Sequence, residues 1–144
     1  MLLMNVHVEV RPEADGPFHF DVDPAAQIVT LRYTEPATFE RFATTLDTVV
    51  THPEYKRGFH ILIDHRRVHR APTVAYVESV LAYMQQHRAD FHAARWAVLI
   101  DPNDPAVGGM ARMLAFRADL RIGIQIDVFQ DEAQARTWLR EASR

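Results

Sequence analysis

Residues 59–64 read FHILID and residues 96–101 read WAVLID. Each is a short apolar run closed by an aspartate, the pattern of a strand covered on both faces of a sheet. Between them, Ala71-Pro72-Thr73 opens a helix whose Val74, Val77, Leu81 and Met84 recur at helical spacing on an inner face. Strand, helix and strand in that order form the crossover that joins parallel neighbours in one sheet. The two hexapeptides therefore predict an α/β fold.

The segments on either side extend the same pattern. Towards the N-terminus, the alternating Phe18, Phe20 and Val22 and the run Ile28 to Tyr33 flank Asp23-Pro24-Ala25-Ala26, which reads as a hairpin. Thr34-Glu35-Pro36 predicts the start of a helix, with Thr34 as cap and Phe39, Phe42, Ala43, Leu46, Val49 and Val50 on one face. His52-Pro53 ends it, because a residue before proline avoids the helical region. Val6, Val8 and Val10 alternate as a further strand ahead of the break between Pro12 and Pro17. Towards the C-terminus, a helix is expected from about Ala106 to Leu120, then a strand from Ile124 to Phe129. Asp131 caps a last helix with Ala135, Trp138, Leu139 and Ala142 inward. The order β-β-α-β-α-β-α-β-α predicts a single mostly parallel sheet with an N-terminal antiparallel hairpin and four helices, in one domain spanning residues 1–144.

Composition narrows the function. The 144 residues are 48% hydrophobic and 24% charged, the balance of a globular domain. Zero cysteines exclude thiol catalysis, zinc–thiolate sites and iron–sulfur ligation. A net charge of −3 leaves no basic footprint for nucleic acid. No apolar run approaches the ~20 residues of a membrane span, and the opening MLLMNVHVEVRPEAD turns polar too soon for a signal peptide, so a cytoplasmic location is expected.

The hairpin, FHILID, WAVLI, GGMARML and the closing FQDEAQARTWL together resemble stand-alone STAS-like proteins, relatives of the bacterial sporulation anti-sigma-factor antagonists. The resemblance runs from about Phe18 to Leu139. It implies an open sheet with helices wound around it, no cofactor, and action through protein–protein contact. The regulatory members carry a phosphorylated serine in an Asp-Ser-Ser-Gly type motif at the start of the second helix. Here that position reads His69-Arg70-Ala71-Pro72-Thr73-Val74, with Thr73 as its one hydroxyl. Threonine there serves either as helix cap or as an alternative phosphosite. The fold is also related to lipid-binding carrier domains, and fold similarity alone does not decide between the roles.

In an open parallel sheet, ligands bind beyond the carboxyl ends of the strands. That edge holds Tyr33 to Glu35, Asp64 to Arg70, Asp101 to Asp104, and Gln130 to Glu132. His65-Arg66-Arg67-Val68-His69-Arg70 is dense in basic side chains, so Arg66, Arg67, His69 and Arg70 are candidates for an anion or an acidic partner. Alternatively these arginines are solvated, or pair with Asp64, Asp101 and Asp104. The same three acids suggest magnesium, or merely caps and turns. The eight histidines include no HExxH pair, and His60 reads as packed in its strand. Ser79 and Ser143 lack a nucleophile elbow, and Gly108-Gly109 lacks the nucleotide fingerprint. No enzyme signature emerges.

The helix after WAVLI has two apolar faces. Val107, Met110, Ala111 and Leu114 form one, and Met113, Phe116 and Leu120 form the other, with Arg112 at its rim. Such a helix is buried on two sides, or it walls a pocket, or it offers a partner surface that Tyr76 and Tyr83 could extend. The leading expectation is a non-enzymatic interaction module and homo-oligomer using Met113, Phe116, Arg112 and the loop before Thr73. The alternative is a carrier or sensor of a small apolar or anionic ligand at the carboxyl edge of the sheet. A magnesium enzyme built on Asp64 and Asp101 ranks last.

Overall fold

FHILID becomes the central strand. The computed structural model describes residues 18–142, so the Val6 to Val10 alternation lies outside the described residues. Strands β1 (Phe18–Asp23) and β2 (Ile28–Tyr33) form the hairpin, followed by β3 (His60–Asp64), β4 (Trp96–Leu99) and β5 (Ile126–Phe129). They pair in the order β1-β2-β3-β4-β5. The β1–β2 pair is antiparallel, with Phe18 opposite Tyr33, and the remaining pairs are parallel. At the hairpin tip Asp23 Oδ1 accepts the Ala26 N–H at 3.1 Å, and Gln27 takes a left-handed φ of 61°.

The helices are α1 (Phe39–Val50), α2 (Val74–Gln86), α3 (Arg88–Phe91), α4 (Pro105–Arg121) and α5 (Glu132–Glu141). Alternation along each strand divides the core between the two faces. Val29, Leu31, Ile61, Ile63 and Trp96 meet α1, α2 and part of α4, while Val98 and Ile100 meet Val107 and Ala111 of α4. On the other face Ile28, Leu62, Ala97 and Leu99 pack against Ala135 and Leu139 of α5.

Several local expectations shift. The cap of α1 is Thr38, whose Oγ1 accepts the Arg41 N–H at 3.1 Å, rather than Thr34. Both threonines are good caps by type, and the choice is made by Ala37 and Phe39 packing onto the core from an extended lead-in. A one-turn helix, α3, adds a fifth to the expected four; it seats Phe91 edge-on against Trp96 with ring centroids 5.4 Å apart. One turn is too short to show a period in the sequence. Gly123, at φ 79°, turns the chain out of α4, and β5 begins at Ile126 rather than Ile124. Val74 is exposed in the first turn of α2, and its place on the inner face is taken by Val80 and Tyr83. Ala142 is likewise exposed, and Trp138 is only partly buried.

Strand β5 is one edge of the sheet. Gln125 and Phe129 turn their carbonyls to β4, accepting from Trp96 and Ile100 at 2.9 Å each. The intervening Val128 therefore faces outward, and its N–H donates to the carboxylate of its own neighbour, Asp127, at 2.8 Å.

Candidate functional site

The tripeptide Asp64-His65-Arg66 leaves β3 at its carboxyl end and keeps the strand's alternation. Asp64 and Arg66 turn towards α5, and His65 turns towards α1, α2 and α4. Each side chain enters a different environment.

On the α5 side, Arg32 lies opposite Asp64 in the β2–β3 register and donates to Asp64 Oδ2 at 2.5 Å. Arg66 grips the same carboxylate with Nε at 3.0 Å and Nη2 at 2.8 Å, a bidentate fork. Glu132, in the first turn of α5, accepts from Arg66 at 2.9 Å, Arg32 at 3.2 Å and Arg136 at 2.9 Å. Arg136 also reaches the buried Thr30 hydroxyl at 3.3 Å. Burial would raise the Asp64 carboxyl, but hydrogen bonds from Arg66 and the charges of Arg66 and Arg32 outweigh it and hold it below its usual value. Glu132 behaves likewise: burial opposes, and Arg136 and Arg32 prevail. The hydrogen bond to Asp64 in turn holds the Arg66 guanidinium firmly protonated. The cluster pins the N-terminus of α5 to the ends of β2 and β3.

The other basic-loop candidates stand apart from this cluster. Arg67, His69 and Arg70 are exposed, and His69 Nδ1 lies 3.7 Å from Asp104. Thr73 caps α2, its Oγ1 accepting the Tyr76 N–H at 3.0 Å, a bond of the kind worth about 1 kcal/mol. Asp101 accepts the Asn103 N–H at 2.9 Å in a local turn. Among the described residues no three His, Asp or Glu side chains gather closely enough to hold a metal ion. His60 is packed, with Nδ1 accepting the Arg95 N–H at 3.0 Å.

On the opposite face a cleft enters the core from the carboxyl edge. Its floor is Tyr33, Ile63, His65, Trp96 and Val98 of the sheet; its walls are Phe42 of α1, Tyr76, Val77 and Val80 of α2, and Val107, Met110, Ala111 and Leu114 of α4. The enclosed part measures ≈ 40 Å³, and the free space out to the open mouth is ≈ 550 Å³. Tyr33 stacks obliquely on Phe18 and on His65, with centroids 4.8 and 4.9 Å apart. Burial lowers the pKa of His65 to about 4, against the pull of Asp64, so its ring is neutral at pH 7. Burial also raises the Tyr33 and Tyr76 hydroxyls above their usual value. Two buried polar atoms of this wall, Tyr33 Oη and Trp96 Nε1, have no hydrogen-bond partner among the described residues.

Helix α4 presents its two faces differently. Val107, Met110, Ala111 and Leu114 wall the cleft, and Met113 is partly buried against the core. Phe116 and Leu120 are 66% and 68% exposed, so the second face is not buried, and Arg112 is exposed nearby. The helix comes close to the sheet at Gly108, where a Cβ would stand 2.7 Å from Ile100 Cδ1. Beyond the cleft, Glu78 of α2 holds Arg117 and Arg121 of α4, the latter at 2.9 Å. Tyr76 faces the cleft and Tyr83 packs on α1, donating to Asp47 at 2.6 Å, so neither extends the Phe116 surface.

Tyr33, His65 and Trp96 are the cleft residues that the sequence reading did not single out. Tyr33 carried one signal: a phenol at a strand end, in register with buried positions and at the edge where ligands bind.

No helix among the described residues is long and apolar enough to cross a membrane. No protein-family profile matches the chain, and no curated protein sequence does. In structure the chain is similar to an uncharacterised protein of the DUF3478 family with a SpoIIAA-like fold from Shewanella loihica PV-4, at 16% identity and a TM-score of 0.55. The alignment covers 85% of this chain and 91% of that one. The five-stranded mixed sheet, its antiparallel hairpin and its winding helices are thus a SpoIIAA-like, STAS-like fold.

Proposed function

We propose that this protein is a non-enzymatic binding module that takes a small, largely apolar molecule into the cleft between α2 and α4, as a carrier or sensor. The observation that carries this reading is the cleft itself, apolar-walled, open at the carboxyl edge of the sheet and built from the sheet and three helices. A molecule there touches the inner face of α4, whose outer face exposes Phe116 and Leu120. Occupancy can therefore be felt at a surface suited to a partner.

The absence of catalytic work has its own support. Asp64 and Glu132 are ionised and matched by arginines, which leaves neither as a proton donor near pH 7. His65 is neutral and set among aromatic and aliphatic groups. An anionic head group held by Arg66, Arg67 and Arg70 together finds less support, because Arg66 is committed to Asp64 and Glu132 on the other face.

Native mass spectrometry of freshly purified protein, paired with a titration of the neutral dye Nile red, tests the reading. A retained mass lost on denaturation, or saturable dye binding abolished by Ala111→Phe, is the expected result. A bare chain with dye binding unchanged in Ala111→Phe would overturn it.

A second reading, favoured by the exposure of Phe116 and Leu120, is self-association or protein docking through that strip of α4. Sedimentation velocity of a Met113→Ser, Phe116→Ser variant checks it. Loss of an oligomer seen in the parent supports the surface, and an unchanged folded oligomer refutes it.

A further inference from the structure

The chemistry of the ligand can be taken one step further, on the premise that the cleft is a ligand site. Tyr33 and Trp96 are 2% and 1% exposed, both line the cleft, and neither Oη nor Nε1 has a partner among the described residues. An indole N–H can only donate. The Tyr33 hydroxyl keeps its proton because burial holds its pKa well above the usual value, so it also donates. Protein interiors pair nearly all such groups, and two orphaned donors on one wall mark a place where acceptors are missing.

We propose that the cleft takes an uncharged apolar molecule bearing an oxygen acceptor, a carbonyl above all, which receives hydrogen bonds from Tyr33 Oη and Trp96 Nε1. The charge follows from what surrounds those donors. No lysine or arginine is among the cleft residues, and His65 is neutral. Arg66 is turned to the opposite face with Asp64 and Glu132. Arg41, whose charge reaches Tyr33, stands over the Phe18 ring and is not part of the cleft wall. A carboxylate or phosphate entering here would lose its water without gaining a counter-charge. A neutral carbonyl gives up far less hydration and satisfies donors that are otherwise unpaired.

The test titrates acetophenone, its hydrocarbon isostere α-methylstyrene, and benzoate into the ¹⁵N-labelled full chain, following the indole N–H signals of its two tryptophans. Trp96→Phe assigns the resonance. The expected result is a saturable downfield shift of the Trp96 N–H with acetophenone, and binding about tenfold or more tighter than α-methylstyrene. Benzoate binds at least tenfold more weakly than acetophenone. Tyr33→Phe shrinks the ketone's advantage severalfold and leaves α-methylstyrene affinity unchanged. Equal affinity for ketone and hydrocarbon, or benzoate matching the ketone, overturns the proposed chemistry while leaving the cleft as a binding site. If none of the three moves any cleft resonance, the cleft reading itself falls.

Discussion

Replacing Tyr33 by phenylalanine should stabilise the protein, although it removes a hydrogen-bonding group from the core. In Tyr33→Phe the ring stays, so its contacts with Phe18 at 4.8 Å and His65 at 4.9 Å are kept. What leaves is a hydroxyl that is buried and unpartnered, yet fully hydrated once the chain unfolds. A buried donor without a partner costs about 1–3 kcal/mol. The vacated oxygen leaves a void of roughly 10 Å³, which costs about 0.2–0.3 kcal/mol at ~24 cal/mol per Å³. The balance is a gain of about 1–2 kcal/mol, or roughly 3–6 °C in Tm for a domain of this size. Urea unfolding of parent and variant, followed by far-UV circular dichroism at pH 7, measures it directly. The midpoint should rise with the slope m unchanged. A variant destabilised by 1 kcal/mol or more would show that the hydroxyl is well partnered in solution. The argument for orphaned donors in the cleft would then be lost.

Two further outcomes follow from the same geometry. Stability should decline in two stages on acidification. The His65 pKa is lowered from 6.5 to about 4, so between those values the unfolded chain binds the extra proton and the fold loses of order 2 kcal/mol. Asp64 and Glu132 sit below their ordinary 3.8 and 4.5, so their contribution is complete above those values and disappears as the pH falls through the lowered ones. Asp64→Asn should therefore lower the urea midpoint at pH 7 and flatten its dependence below about pH 4; an unchanged pH profile counts against the paired arrangement. The adjacent glycines of α4 should respond to alanine with opposite signs. Gly109→Ala meets nothing within 4 Å and gains up to about 1 kcal/mol of helix propensity. Gly108→Ala drives a methyl into the packed Ile100 and costs about 1 kcal/mol net. Matching shifts in Tm for the two variants would contradict the close approach of α4 to β4.

The residues that announced the fold are those whose burial is decided by period. FHILID and WAVLID are apolar at every position because strands β3 and β4 are covered on both faces, and continuous apolar runs of that length between helices leave few alternatives. The phase of α2 was harder to place. Val74 has the right spacing and chemistry for the inner face, yet it sits in the first turn, where the helix has not yet reached the core. Tyr83 looks polar enough for solvent but is buried because Asp47 of α1 accepts its hydroxyl, a pairing between residues 36 positions apart. The same limit applies to the site. Six consecutive residues rich in arginine and histidine suggest one cationic surface, while strand geometry sends Arg66 to one face and His65 to the other. Tyr33 and Trp96 could not be paired from sequence, since their shared trait, a donor without an acceptor, exists only after the chain has folded.

Asp127 has a consequence for the molecule's behaviour in bulk. An edge strand is a template on which another chain can grow, and its outward amides are the hooks that growth requires. At the β5 edge the Val128 hook is already taken by the carboxylate one residue away. An incoming strand must break that bond and bury the aspartate's charge before it gains its own first hydrogen bond. The sheet is therefore terminated chemically at this side, much as a capped monomer ends a polymer, and crowding in the cell finds no ready seed there for β-aggregation.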